Sequence, residues 1–504
     1  MGVIARQSIK GALANYLGVA IGFFVSFFVL TRYLTQEEIG LTRVMVDAAL
    51  LFSSLAQLGS NSSIVKFFPY FKDGKNNHGV FGLSVLLPLA GFMLFALAFL
   101  IFREPLLGIY AKNAPLLADD FYLLPMLTFF ALYLAVFETN ASVLLRITVP
   151  KLVREVGIRL FNLATYLLYG FDLISIDTFV WLFCGSYGLA MLLNLFYLFS
   201  LGHISFRIDR GFLTRERIKE IGRYTLFMTA VALAGNVPLF NSLFLGAKTG
   251  LALTGVYTIA SYIANVVEVP YRSLGAISRP VIATAVKDNN WDEVNRLGRQ
   301  VSLHQLLVSL LIFYLIWINV DALFAVIPNG KDYVGGIGVV FLLGMAKVVN
   351  SSFSVGTDIL NFSRHYPWGL LFIALLTASA ILFNLSFIDM MGINGAACAT
   401  LCAYTIYFLL LNTFLWRRLR VNIFSREQLK LVILIIVLLS ADWTWNQWIT
   451  PTLGCGLLVG AAIKSAVLGG GALAAAYFWQ ISPTVNAIVR KTAGAVTKKI
   501  HRTQ

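Results

Sequence analysis

Charged side chains are scarce in this sequence, at 12% of 504 residues against 58% hydrophobic. Soluble domains carry about 25% charged residues, so this load cannot cover a water-facing surface, and a soluble globular fold is excluded. Cysteine is scarce too. Cys184, Cys398, Cys402 and Cys455 all fall in apolar runs, which excludes the loop-borne pairs of a secreted disulfide framework. Cys398 and Cys402 lie one helical turn apart, but no histidine or acid flanks them, so they read as small apolar helix residues rather than metal ligands. No cofactor is expected. Linkers rich in glycine, serine and proline are missing between the apolar segments, which excludes a string of independent domains. What is present, at a mean hydropathy of +0.79, is an all-α polytopic membrane protein.

A helix needs about 20 apolar residues to cross the hydrocarbon core. Fourteen such segments are found, at 11–31, 40–60, 79–102, 121–145, 153–171, 177–201, 222–246, 254–277, 302–320, 333–356, 366–387, 393–416, 430–448 and 455–479. Loop charge checks the count, because a missed span would put basic loops on alternate sides. Thirty lysines and arginines fall on the side of the N-terminus and five on the other: Arg32, Arg103, Lys112, Lys248 and Lys331. Both termini are therefore predicted in the cytoplasm. The net charge of +15 is mostly a topology signal, and nucleic acid binding loses its support. Arg6 and Lys10 before a long apolar run, with no small-residue cleavage site, predict a retained first span.

Gly40, a polar-rich helix and Lys72-Asp73 recur as Gly255, a similar helix and Lys287-Asp288, both pairs 215 residues apart. An offset of six spans preserves orientation, so the repeat predicts two parallel six-helix lobes plus two C-terminal helices. The expected divisions are 1–201 and 222–416 for the lobes, with 202–221 as a cytoplasmic linker bearing an interfacial helix. Spans thirteen and fourteen occupy 417–479, and 480–504 is a basic cytoplasmic tail. Interfacial helices are expected at 212–223, at 290–300, where Asn290 and Glu293 have capping spacing, and from Val485 to Ile500. Ser425 and Gln428 have the same spacing before span thirteen. Pro125, Pro238 and Pro270 mark expected kinks in spans four, seven and eight.

Ionisable residues within or beside the spans are the sharpest functional signal, since each costs about 2.5–3.5 kcal/mol at a helix centre. They are Arg43, Asp47, Glu138, Arg159, Glu268, Lys347, Asp358 and Lys464. Arg43 and Asp47, Glu155 and Arg159, and Glu268 and Arg272 are each four apart and share a helix face. Glu138, Lys347 and Lys464 lack such a neighbour, and Asp358 is expected to be solvated just past its span. Arg43 near the outer side, with Arg159, Lys347 and Arg272 in the inner half, would offer cations at several depths. A phosphate-bearing headgroup suits such a ladder, through charge-assisted hydrogen bonds from guanidinium and ammonium groups. Asn140, Asn162, Asn236, Asn241, Asn265, Asn350, Ser351 and Ser352 extend the polar pattern, and interhelical hydrogen bonding explains them most cheaply.

The segment 27–71, with Thr31-Arg32-x-Leu34-Thr35-x-Glu37-x-x-Gly40, Leu58-Gly59 and Lys66-Phe67-Phe68-Pro69, resembles the opening of Wzx-type flippases. These belong to the multidrug/oligosaccharidyl-lipid/polysaccharide (MOP) exporter superfamily. The resemblance implies a transporter of the bacterial inner membrane. It would move an undecaprenyl-diphosphate-linked oligosaccharide between leaflets by alternating access, for O-antigen, capsule or exopolysaccharide assembly. Its partners would be the lipid-linked oligosaccharide, a coupling proton or sodium ion, and polysaccharide polymerase or assembly proteins. Arg43, Arg159, Arg272 and Lys347 are the candidate diphosphate contacts, and Glu138 or Glu268 the candidate coupling carboxylate. A cation-coupled multidrug exporter of the same superfamily is the first rival, though span one contains no acid. A membrane glycosyltransferase or polymerase is the second, and the short outer loops without a carboxylate pair count against it; no enzyme activity is expected.

Overall fold

The computed structural model describes residues 17–72, 77–202, 214–234, 237–453, 455–479 and 481, with the Arg272 side chain outside that description. Arg6, Lys10, Asp73, Asn236 and the tail beyond 481 likewise lie outside the described residues. Among the described residues every regular element is a helix.

In chain order, the helices that matter are α1 (Leu17–Tyr33), α2 (Gln36–Ala56), α3 (Ser60–Phe71), α4 (Val80–Tyr110), α5 (Leu123–Val143), α6 (148–170) and α7 (Ile176–Ser200). There follow α8 (Arg215–Ala234), α9 (Val237–Lys248), α10 (Leu251–Asn265), α11 (Val269–Lys287) and α12 (Trp291–Ile318). The last are α13 (Ile337–Phe362), α14 (Trp368–Met391), α15 (Ile393–Leu419), α16 (Arg426–Thr444) and α17 (Leu457–Phe478). Among the described residues, helices fall in all fourteen predicted segments, and eleven of these are long and apolar enough to cross a bilayer. The exceptions are the first, of which 17 onward is described, the fifth, which carries Arg154, Glu155 and Arg159, and the seventh, shared by α8 and α9. The protein is a multi-pass membrane protein.

Local chemistry sets the helix ends. Thr35 opens α2 with a capping box, its hydroxyl accepting from the Glu38 N–H while the Glu38 carboxylate accepts from the Thr35 N–H. Ser425 and Gln428 form the same box at α16, and Asn290 accepts from the Glu293 N–H at α12, as their spacing predicts. The basic stretches near 215–223 and 291–300 are not separate interfacial helices. They are the first turns of α8 and α12, because nothing in them breaks the helical hydrogen-bond ladder before the apolar run begins. Of the three expected kinks, the one at Pro270 meets a break in span eight, where the 3₁₀ turn Val266–Glu268 directly precedes α11. Pro125, Pro238 and Pro270 sit in the first turns of α5, α9 and α11, where the missing N–H costs nothing.

The chain packs as two units. The first comprises Met1–Ile259, Ile327–Asp332 and Thr377–Ala396. Its core joins Leu132, Val136, Phe137 and Ala141 of α5 to Ala190, Met191 and Leu198 of α7, with Ala56 and Phe81 alongside. Met93, Leu94, Leu97, Leu100 and Ile101 stand exposed on α4, an apolar face of the kind a membrane span turns to lipid. The second unit comprises Ala260–Val326, Tyr333–Leu376 and Ala397–Gln504. There Leu306, Leu310, Phe313 and Tyr314 of α12 receive Leu431, Leu434 and Leu438 of α16 and Ala472 and Ala476 of α17. Polar contacts fix the register: Tyr314 donates to the Leu438 carbonyl at 3.1 Å and Gln428 to Ser302 at 2.7 Å.

Candidate functional site

Among the described residues, six ion pairs carry the predicted charges. On α2, Arg43 donates from Nε to Asp47 Oδ2 at 2.6 Å, and the same oxygen accepts from Ser242 of α9 at 2.5 Å. Spacing predicts the first contact, since residues four apart share a helix face. The second binds α2 to α9. Beside it Asn241 donates to Tyr257 at 2.7 Å, and Asn384 donates to Asn241 at 3.0 Å. This chain of hydrogen bonds satisfies polar groups that the hydrocarbon interior would otherwise penalise.

Arg159 lies on α6 just beyond Val153–Gly157, where the helix widens into one π-helical turn, a feature frequent at functional sites. Glu155 lies 3.3 Å from its Nη2. Its Nη1 is buried and has no hydrogen-bond partner, and the same holds for Oδ1 of Asn162, one turn further on. The guanidinium lies against α1. A Cβ at Gly18 would come within 2.9 Å of Nη1, and one at Gly22 within 3.0 Å of Cζ. Two glycines four apart thus leave the room that the guanidinium occupies, and at Gly18 a Cβ would also press on the Glu155 backbone carbonyl at 2.8 Å. Neighbouring Arg154 donates to Glu138 at 2.8 Å.

In the second unit, Glu268 ends a short 3₁₀ turn ahead of α11. Lys347 of α13 donates to its Oε2 at 3.3 Å and Asn350 to its Oε1 at 2.8 Å. Both charged side chains are nearly buried, at 10% and 12% exposure. Deeper along α13, Asp358 accepts from Arg279 Nε through both carboxylate oxygens, at 3.0 and 3.2 Å, and Arg279 also donates to Tyr271 at 2.8 Å. Lys464 of α17 sits 2.6 Å from Asp442 of α16 and donates to Asn446 and the Ile318 carbonyl, each at 2.9 Å.

These contacts add three partnerships that spacing does not show and correct one expectation. Glu138, Lys347 and Lys464 are not isolated; their partners Arg154, Glu268 and Asp442 lie on other helices or turns, where sequence spacing gives no sign of them. Asp358 is not simply solvated, because α13 runs to Phe362 and carries it inside the helix against Arg279. Of the six predicted site residues, the structure brings Glu268 and Lys347 together; Arg43, Glu138 and Arg159 each meet another charged partner. Arg154, Arg279 and Asp442 were missed. So were Gly18 and Gly22, although their Gly-x-x-x-Gly spacing is itself a signal of close helix approach.

A family model described as polysaccharide biosynthesis protein matches residues 6–286. The chain belongs to this family. No curated protein matches it. Among solved structures, the lipid II flippase MurJ in an inward closed conformation is similar, with a TM-score of 0.70 at 13% identity over 94% of this chain and 99% of that one. An inward-facing multidrug resistance MATE family transporter of the MOP superfamily gives 0.61 at 18% identity, over 84% and 98%. A MOP superfamily transporter from Pyrococcus furiosus gives 0.52 at 16% identity, over 83% and 95%. At such identities the likeness is one of fold. The fold expected from the resemblance to MOP exporters is thereby borne out.

Proposed function

We propose that this family member moves a lipid-linked oligosaccharide from the inner to the outer leaflet of a bacterial inner membrane, with both termini cytoplasmic. One observation carries the reading: the buried Nη1 of Arg159, which has no hydrogen-bond partner beside a half-neutralised guanidinium. A buried cationic donor left unsatisfied is costly, and a diphosphate oxygen is the acceptor that suits a guanidinium best. Oδ1 of Asn162 offers a sugar hydroxyl an acceptor on the same face. Membership of the polysaccharide biosynthesis family agrees with the glycan, and the flippase fold of MurJ agrees with a lipid carrier.

Arg43, Arg159, Arg272 and Lys347 serve as diphosphate contacts at successive depths. Lys347 adds a coupling route. Glu268 holds the ammonium, and a coupling cation taken up at Glu268 would release Lys347 toward phosphate. Glu138 holds Arg154 in the same manner. The test replaces each cation with a neutral residue and scores surface polymer against lipid-linked precursor on the cytoplasmic face. Arg159→Gln is expected to abolish polymer and accumulate precursor at normal protein level. Normal export by all four variants would sink the ladder.

A further inference from the structure

Gly40 and Gly255, the residues that mark the 215-residue repeat, press into each other's helices. A Cβ on Gly40 would overlap the Leu251 carbonyl oxygen and lie 3.0 Å from the Leu251 Cα; one on Gly255 would overlap the Gln36 carbonyl oxygen and lie 3.1 Å from the Gln36 Cα. Gln36 and Leu251 are the first residues of α2 and α10, and they too are 215 apart. The first turn of each helix therefore rests on the glycine one turn inside the other. Such reciprocity is the pattern of a two-fold contact.

A second reciprocal set surrounds the crossing. Asn113 donates from Nδ2 to the carbonyls of Ala247, at 2.7 Å, and Lys248, at 3.2 Å. Asn329 donates from Nδ2 to the Thr31 carbonyl at 2.9 Å. The two donors are 216 residues apart, and so are Thr31 and Ala247. Both accepting carbonyls belong to last turns, of α1 and α9, where helices leave such groups unsatisfied. Each repeat thus caps a span of the other, around a crossing where only glycine permits contact.

We infer that Gly40, Gly255, Asn113 and Asn329 form the outer latch of the transport path, and that its parting opens the protein outward. The inference rests on the transporter reading. These contacts lie at the end of the spans whose loops hold few basic residues. They consist of backbone surface and two amides, so parting them strands carbonyls that water then satisfies, and the latch can open and reclose.

The test uses cysteine-free protein carrying Thr254→Cys, next to Gly255 and fully buried here, treated from outside with a membrane-impermeant maleimide. Labelling should be slow in the parent and about ten-fold or more faster in Asn113→Ala/Asn329→Ala, which loses both caps. Gly40→Ala and Gly255→Ala should shift it the same way. Gly185→Ala should not, since a Cβ there meets nothing within 4 Å. Should the glycine variants fail to accumulate, the asparagine double variant decides alone. Unchanged labelling in that variant overturns the latch. Polymer export is scored in the same cells: fast labelling without export supports the latch whatever the cargo, whereas lost export with parental labelling overturns the latch and leaves the transporter reading intact.

Discussion

Arg159 shows how a side chain's surroundings, more than its charge, single it out. Arg43 and Lys347 are held by carboxylates that also accept from Ser242 and Asn350, whereas Nη1 of Arg159 faces a glycine slot with no acceptor. Outside the spans, Asp120 stands apart for another reason. Burial, with Asp177 and Asp119 nearby, pushes its carboxyl up to about 6. Its folded value lies above the unfolded one, so the folded state holds this proton more tightly. That stability is fully present below about pH 4 and is lost as pH rises through about 6. Asp120→Asn is therefore expected to raise the melting temperature at pH 7.5, with the gain shrinking toward pH 4.5; a gain independent of pH would contradict this. At this scale the sequence made the within-helix pairs legible, Arg43 with Asp47 and Glu155 with Arg159, because fixed spacing puts them on one face. It could not show Arg154 with Glu138 or Arg279 with Asp358, whose meeting depends on how helices pack.

The appended helices illustrate what elements add. Helix α16 passes into a π-helical turn at Trp445–Ile449 three residues after Asp442, and α17 does so at Ser465–Gly469 directly after Lys464. The buried pair sits where both ladders change register. Removing one partner leaves an uncompensated buried charge. Lys464→Met alone should thus cost about 3–5 kcal/mol, while Lys464→Met/Asp442→Leu should recover most of it. Thermal unfolding in detergent measures the cycle; a double variant no better than the single would show that the pair is not the stabilising unit. Element starts were the legible part here, since Ser425 with Gln428 and Asn290 with Glu293 are local signals. The π turns were not, because they answer to packing between helices.

At the scale of the whole molecule, apolar run length and loop charge were enough to predict a multi-pass all-α protein, with eleven of the fourteen segments long and apolar enough to span among the described residues. The repeat was visible as one glycine pair and one Lys-Asp pair; its meaning became apparent only when Gly40 and Gly255 proved to touch each other's helices. The glycan-lipid reading depends on an open cationic donor, and that depends on three helical turns meeting, which no single segment encodes.

The most direct test is binding of a polyprenyl-diphosphate saccharide to the purified protein in nanodiscs, compared with the same saccharide on a neutral polyprenol carrier. Parent protein should prefer the diphosphate. Arg159→Gln should lose most of that preference, about ten-fold or more, and Gly22→Val, which fills the slot from the other side, should do the same. Equal affinity for both carriers in the parent, or a preference that survives both substitutions, would contradict the account.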